Sequence, residues 1–151
     1  LIRRAEQRDA PAVAQVYIAS RRGAVRYLPS IHTDEDMRAW IANYLVPNLE
    51  VWVAELDGTI VAMMALEHDY LDQLYVAPAN QRRGVGDLLL AKAKERSPQR
   101  LRLYTFQRNA PARRFYERRG FVAIELSDGA RNEEREPDVL YECIGAAPAR
   151  A

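Results

Sequence analysis

Sulfur chemistry is nearly absent from this sequence. Among 151 residues there is one cysteine, Cys143, so neither an intramolecular disulfide nor a cysteine-based zinc cluster can form. Net charge is equally scarce. Twenty-two basic side chains against 21 acidic ones leave a formal +1, which provides no bulk field toward nucleic acid or an anionic membrane. Long hydrophobic runs are missing as well; the longest, residues 60–66, falls far short of a bilayer span. No charged, apolar, small-residue leader opens the chain, so a cytoplasmic location is expected. It begins on Leu1 rather than methionine, which leaves its natural start open. With no internal repeat, low-complexity tract or linker, one domain is expected over residues 1–145. The Ala- and Pro-rich tail, 146–151, is expected to fray. A chain of this length buries roughly two-thirds of its unfolded surface without staples.

What is present is a succession of short strands and helices. Ile2–Arg4 reads as a first strand. Asp9 is placed to cap the helix after it, and Pro11 is tolerated in a first turn. Val13, Val16, Tyr17 and Ser20 then share one helical face. A second helix starts at the N-cap Thr33, carries a stripe of Met37, Trp40, Ile41, Tyr44 and Leu45, and is expected to end at Pro47. Strands follow over Glu50–Leu56 and Thr59–Glu67 about an Asp57-Gly58 hairpin turn, then over Tyr70–Val76, stopped by Ala77-Pro78. Residues 84–96 read as a helix with Val85, Leu88, Leu89 and Ala93 inward. Residues 101–106 form a strand and 110–119 a short helix closed by Gly120. Residues 121–126 and Asp138–Ile144 are the last strands, joined by a polar loop. The order predicts a mixed α+β fold, one sheet covered by helices.

Residues 74–86, LYVAPANQRRGVG, place a strand, a loop with two arginines and two glycines, and a helix in immediate succession. Glycine lets backbone approach a ligand closely, and the first N–H groups of a helix lack internal partners. With the helix dipole, those donors suit a phosphate or pyrophosphate, and Arg82 and Arg83 would add charge-assisted contacts. Two familiar phosphate motifs fail here. The P-loop requires Gly-Lys-Ser/Thr, and the dinucleotide fingerprint requires a third glycine where Leu89 stands. The plainer reading is a glycine turn with solvated arginines, and Asp87, a carboxylate in the first helical turn, counts against an anion.

Residues 109–121, NAPARRFYERRGF, make a second informative segment. Asn109 caps the helix, which turns Ala112, Phe115 and Tyr116 inward. A tyrosine there buries its ring but needs a partner for its hydroxyl. Either the hydroxyl bonds to backbone, or it serves as a general acid. A phenol of pKa about 10 can protonate a departing thiolate whose thiol has a pKa near 8.5.

These two segments, in this order, resemble the GNAT superfamily of acyl-CoA-dependent N-acyltransferases. The likeness rests on Gln81-Arg82-Arg83-Gly84-Val85-Gly86 after a Leu-Tyr-Val-x-Pro strand end, then on an Asn-x-x-Ala-x-x-x-Tyr-x-x-x-Gly-Phe pattern over residues 109–121. The resemblance implies a strongly twisted mixed sheet splayed into a V between the fourth and fifth strands. It also implies acetyl-CoA as cosubstrate, without a metal. By this likeness the backbone of Leu74, Tyr75 and Val76 would pair with the pantetheine arm. Gln81 and the amides from Arg82 through Gly84 and Val85 to Gly86 would hold the pyrophosphate, with Asn109 and Ala112 beside the arm. Tyr116 would lie near the sulfur as the acid. A neutral primary amine would attack the thioester directly. Cys143, outside both motifs, is read as a small buried hydrophobe.

The base and the acceptor are less defined. An ammonium acceptor must lose a proton, and Glu67, His68, Asp69 and Asp72 cluster where relatives place such a group. Asp72, which strand alternation puts on the face of Tyr70 and Leu74, is preferred, and Glu67 next; solvated hairpin charges are the bland alternative. His32 lies where the family shapes its acceptor pocket, or is simply a helix-entry residue. The polar connection before the last strand carries Asn132, Glu133 and neighbouring carboxylates, expected to favour a cationic amine or to be a plain polar turn. Expected partners are a small-molecule or peptide amine. Many relatives form a homodimer, though no stripe here demands one. Two other readings stand beside the enzyme: an acyl-CoA-binding or sensing module without a base, and a nucleic-acid binder using Arg113, Arg114, Arg118 and Arg119. Near-neutral charge and the lack of interleaved exposed aromatics disfavour the last.

Overall fold

A computed structural model of the chain describes residues 1–25, 28 and 31–145, so the tail expected to fray lies outside the described residues. Seven strands form one sheet: β1 (Ile2–Arg4), β2 (Glu50–Leu56), β3 (Thr59–Glu67), β4 (Tyr70–Val76), β5 (Arg100–Phe106), β6 (Val122–Ser127) and β7 (Asp138–Ile144). Their order is β1-β2-β3-β4-β5-β7-β6. All neighbours are antiparallel except β4 and β5, which run parallel. A parallel pair needs a crossover, and α4 (Val85–Arg96) supplies it.

The sheet separates two apolar layers. On one face α1 (Ala10–Ala24) and the α2 region (Asp34–Trp40) bury Val13, Val16, Tyr17, Ile41 and Leu45 against Val51, Val53, Met63 and Ala65. On the other face α4 and α5 (Ala110–Glu117) bury Leu89, Leu90, Ala93 and Tyr116 against Met64, Leu66, Leu101, Leu103 and Tyr141. β3 contributes to both layers by simple alternation.

Several local expectations change. Asp9 does not cap α1. A 3-10 turn over Gln7–Asp9 precedes the helix, and the Asp9 carboxylate instead accepts from the Glu6 amide at 2.7 Å and from Arg3 at 2.8 and 3.0 Å. The Arg3 guanidinium holds its pKa down to about 2. Thr33 does cap α2, in a reciprocal box with Asp36. Pro47 does not end that segment: the backbone widens into a π-turn over Ile41–Leu45, then α3 (Val46–Asn48) continues, with Pro47 in its first turn where no N–H is needed. The π-turn resets the apolar phase, so Ile41 and Leu45 are buried while Tyr44 is 47% exposed. In α4 Leu88 faces out, 57% exposed, and Leu90 takes the inward place. α5 stops two residues early, at Glu117, and Gly120 at φ +90° follows.

Two irregularities open the centre of the sheet. The register between β3 and β4 steps from Leu66↔Leu71 to Ala65↔Gln73, which makes Asp72 the extra residue of a β-bulge. β4 and β5 then share one registered pair, Tyr70↔Arg102, with the Arg102 amide donating to Asp69 O at 2.8 Å. Beyond it the strands part, as the V-shaped splay requires.

Candidate active site

The gap between β4 and β5 widens into a cleft of about 1030 Å³. Its wall on one side is β4, α1 and α2; on the other are β5, α5 and the β6–β7 loop. Leu74, Tyr75, Asp72, Asn109, Ala112, Tyr116, His32, Asn132 and Glu133 all line it. Glu67 does not. It lies at the β3–β4 turn in a separate groove with His68 and Arg96, at the far end of β4.

Backbone geometry follows from one bond. The Ala77 amide donates to Val61 O at 2.8 Å, so the alternation of an antiparallel ladder turns Tyr75 toward β3 and Leu74 and Val76 away from it. Leu74 thus points its N–H and C=O into the gap, where no strand pairs with them. The Val76 carbonyl on that side accepts from Ser20 Oγ at 3.0 Å and Gln81 Nε2 at 3.1 Å, leaving its N–H to face the gap. Tyr75 differs from the expectation: its backbone faces β3, and its side chain meets Tyr17 edge-on and receives Arg21 Nη1 at 3.3 Å. On the opposite wall, Thr105 Oγ1 is a buried hydroxyl with no partner among the described residues. Orphaned groups on both walls are what an amide-bearing arm laid along the gap would satisfy.

Gln81, Arg82, Arg83, Gly84, Val85 and Gly86 do not line the cleft; they form the turn between the end of β4 and α4. Arg82 at φ +65° and Gly84 at φ +82° curl the chain so that α4 begins with Gly84 as N-cap. Arg82 and Arg83 are exposed and make no ion pair among the described residues. Gly86 has a packing role that its motif does not announce. A Cβ there would sit 3.3 Å from the Phe115 ring, so its smallness lets α4 and α5 approach.

Asn109 caps α5 through its side chain, which accepts from the Ala112 amide at 3.3 Å. The helix thereby aims Tyr116 between Phe115 and Phe121, both edge-on at 5.1 and 5.4 Å. Its hydroxyl makes no hydrogen bond among the described residues, so the backbone-bonded alternative is not what the fold adopts. Burial raises its pKa well above the ordinary phenol value, and the group stays protonated. Across the gap, the bulge carries Asp72 into the cleft with Gln73 Nε2 donating to it at 3.1 Å. Burial raises this carboxyl too. Strict alternation fails here, because Leu71 and Leu74 both pack in the layer under α4 and α5.

The β6–β7 loop closes the cleft mouth through two consecutive glutamates. Glu134 reaches Arg21 of α1 at 3.2 Å and Glu133 reaches His32 Nε2 at 2.8 Å, tying one half of the sheet to the other. Asn132 serves the loop itself: its amide bonds to Glu136 O, Glu136 N and Asp138 at 2.7 to 3.2 Å. Seven carboxylates and two guanidiniums line the cleft, so a cation is the charge it favours. Sequence reading missed Arg21, which α1 brings to Tyr75 and Glu134, and also Thr105 and the edge-on pair Tyr70–Tyr104, which depend on which strands face each other across the gap.

Comparison with known proteins adds to this geometry. The family model described as the acetyltransferase (GNAT) family matches residues 17–121. The peptidyl-lysine N-acetyltransferase YiaC of Escherichia coli is 28% identical over 128 residues, covering 84% of this chain and 86% of that protein. The solution structure of apo YjaB from Escherichia coli aligns at TM-score 0.80 and 22% identity, over 97% of this chain and 98% of the other. A PaiA N-acetyltransferase from Thermoplasma acidophilum, solved with coenzyme A, aligns at TM-score 0.72 and 19% identity, over 95% and 98%. The two structures show a shared fold.

Proposed function

The chain belongs to the acetyltransferase (GNAT) family, and from that premise we propose that it acetylates a cationic primary amine, the side chain of a protein lysine, with acetyl-CoA. The single observation that carries this reading is the pairing of Asp72 and Tyr116 on opposite walls of one acidic cleft. The relative's peptidyl-lysine activity supports the choice of lysine among primary amines. The lone cysteine supports a reducing, cytoplasmic setting.

Acetyl-CoA supplies the activated acyl group. The N–H and C=O of Leu74 and the N–H of Val76 bind its pantetheine arm along β4, and the Thr105 hydroxyl faces that arm from β5. The amides from Arg82 to Gly86, at the start of α4, hold the pyrophosphate, with the two loop arginines beside it. Asn109 and Ala112 border the arm at the start of α5.

Asp72 takes a proton from the incoming ammonium. Its burial makes it a better base than an exposed aspartate, because desolvation disfavours the bare carboxylate. The neutral amine attacks the thioester carbon, an N–C bond forms and the C–S bond breaks, and the proton that the acylated nitrogen then sheds passes through solvent to replace the one that Tyr116 gives up. Tyr116 gives its proton to the leaving thiolate, and because burial raises its pKa the phenolate so formed recovers a proton readily. Glu133 and the other rim carboxylates draw the cationic side chain toward the mouth.

Two measurements test this. Calorimetric titration with acetyl-CoA, against NADH and ATP as controls, should show saturable binding of acetyl-CoA alone. Thiol release should then follow with lysine peptides and be weak with neutral or acidic amines. Binding without release over the whole panel would instead support a sensing module, and no binding would remove the cofactor site.

A further inference from the structure

Asp87 stands in the first turn of α4, at the helix end where a pyrophosphate needs positive potential. A fixed carboxylate there opposes the ligand. Arg119 meets it from the turn after α5: Nε and Nη2 both donate to the Asp87 carboxylate, the second at 3.0 Å. The guanidinium has little freedom. It lies 3.9 Å from the centre of the Phe115 ring, and its Nη1 donates to Phe115 O at 2.9 Å. The Arg119 carbonyl in turn accepts from Lys94 Nζ of α4 at 2.8 Å. Phe115 is also the ring that Gly86 packs against, so this clamp adjoins the turn that starts the helix.

We infer that Arg119 is a positioning residue for cofactor binding, cancelling the Asp87 charge so that the first amides of α4 can accept a pyrophosphate. The inference rests on the acetyl-CoA reading above. Arg119 is distinct from Arg82 and Arg83, because it acts through Asp87 rather than on the ligand. Its charge is already committed within the protein, whereas theirs is not. An unpaired Asp87 would lie within about one Debye length of the diphosphate, close enough for its repulsion to be felt at moderate salt.

The test is a double-mutant cycle read by calorimetric titration of CoA into the whole chain, with melting curves for each variant. Arg119→Ala should weaken CoA binding about tenfold, and Asp87→Asn should bind at least as tightly as the parent. The Asp87→Asn/Arg119→Ala double variant should return to within about twofold of the parent, and the Arg119→Ala deficit should shrink in 0.5 M salt. If the double variant stays as weak as Arg119→Ala, Arg119 works through helix packing or direct contact and the inference is overturned. Unchanged affinity in Arg119→Ala overturns it as well. Should Arg119→Ala lose its melting transition, Arg119→Gln, which keeps a planar group over Phe115, takes its place under the same criteria. Failure of the parent chain to bind CoA at all would sink the cofactor reading itself, a result separable from a missing coupling.

Discussion

At the scale of single residues, burial raises the pKa of both groups that the proposed reaction uses, Asp72 and Tyr116. On that proposal Tyr116 is the proton donor to the leaving thiolate, so Tyr116→Phe should lower kcat by about a hundredfold or more while leaving the Kd of acetyl-CoA within about twofold. Single-turnover thiol release beside calorimetry separates the two quantities. As the proposed base Asp72 must be ionised to act, and its raised pKa places the acid limb of the rate profile higher than an exposed aspartate would. Asp72→Asn should abolish that limb along with most of the turnover. The same shift has a stability sign. The folded pKa exceeds the unfolded one, so folding stability declines as pH rises between them, and ionised Asp72 opposes folding at neutral pH. Asp72→Asn is therefore expected to melt no lower than the parent at pH 7. Tyr116 was legible in the sequence because its helix carries a pattern of fixed spacing. Strand alternation points to Asp72, but its bulge breaks that alternation, so Asp72 lines the cleft on a face assignment the fold does not keep. Glu67 lies outside the cleft for a related reason: nearness in sequence puts it next to Asp72, while strand direction carries it to the other end of β4.

The turn between β4 and α4 shows what an element requires beyond its pattern. Gly84 sits at φ +82° with open space around its Cβ position, so the cost of a side chain is conformational rather than steric. Gly84→Ala should destabilise the fold by about 1 kcal/mol, lowering Tm by roughly 2–4 °C for a domain of this size. It should also weaken CoA binding, since the amides behind it shift. Thermal melts and titration on one sample check both. The existence and type of each main element were readable from periodicity, and Thr33 and Asn109 from capping chemistry. Phase was not. In α4 the stripe could continue from Val85 and Leu89 through either Leu88 or Leu90, which lie on opposite flanks of it. Only the position of the sheet selects Leu90. Past Trp40, a π-turn that leaves no sequence mark moved Tyr44 outward and carried the helical path through Pro47.

For the molecule as a whole, the gap between β4 and β5 divides the sheet into two halves held by little backbone pairing. Within the sheet they share a single registered pair, and at the cleft mouth the Arg21–Glu134 and His32–Glu133 contacts reach across. A ligand laid along the gap would pair with the free edge of β4 on one side and cover Thr105 on the other, so binding should act as a missing strand. At a CoA concentration one hundred times its Kd, mass action adds about 2.7 kcal/mol to stability, which for this size corresponds to a rise in Tm of roughly 5–10 °C. The distribution of that gain is the sharper test. Hydrogen exchange should slow at the Leu74 and Val76 amides, which face the gap, while Tyr75, already paired to β3, should change less. A rise in Tm without protection at Leu74 and Val76 would place the stabilising contacts at the α4 turn alone. Pantetheine would then run elsewhere than along β4, and the orphaned Thr105 hydroxyl would need another occupant. Protection at both amides with a smaller change at Tyr75 is the outcome that the parity of the β3–β4 ladder demands.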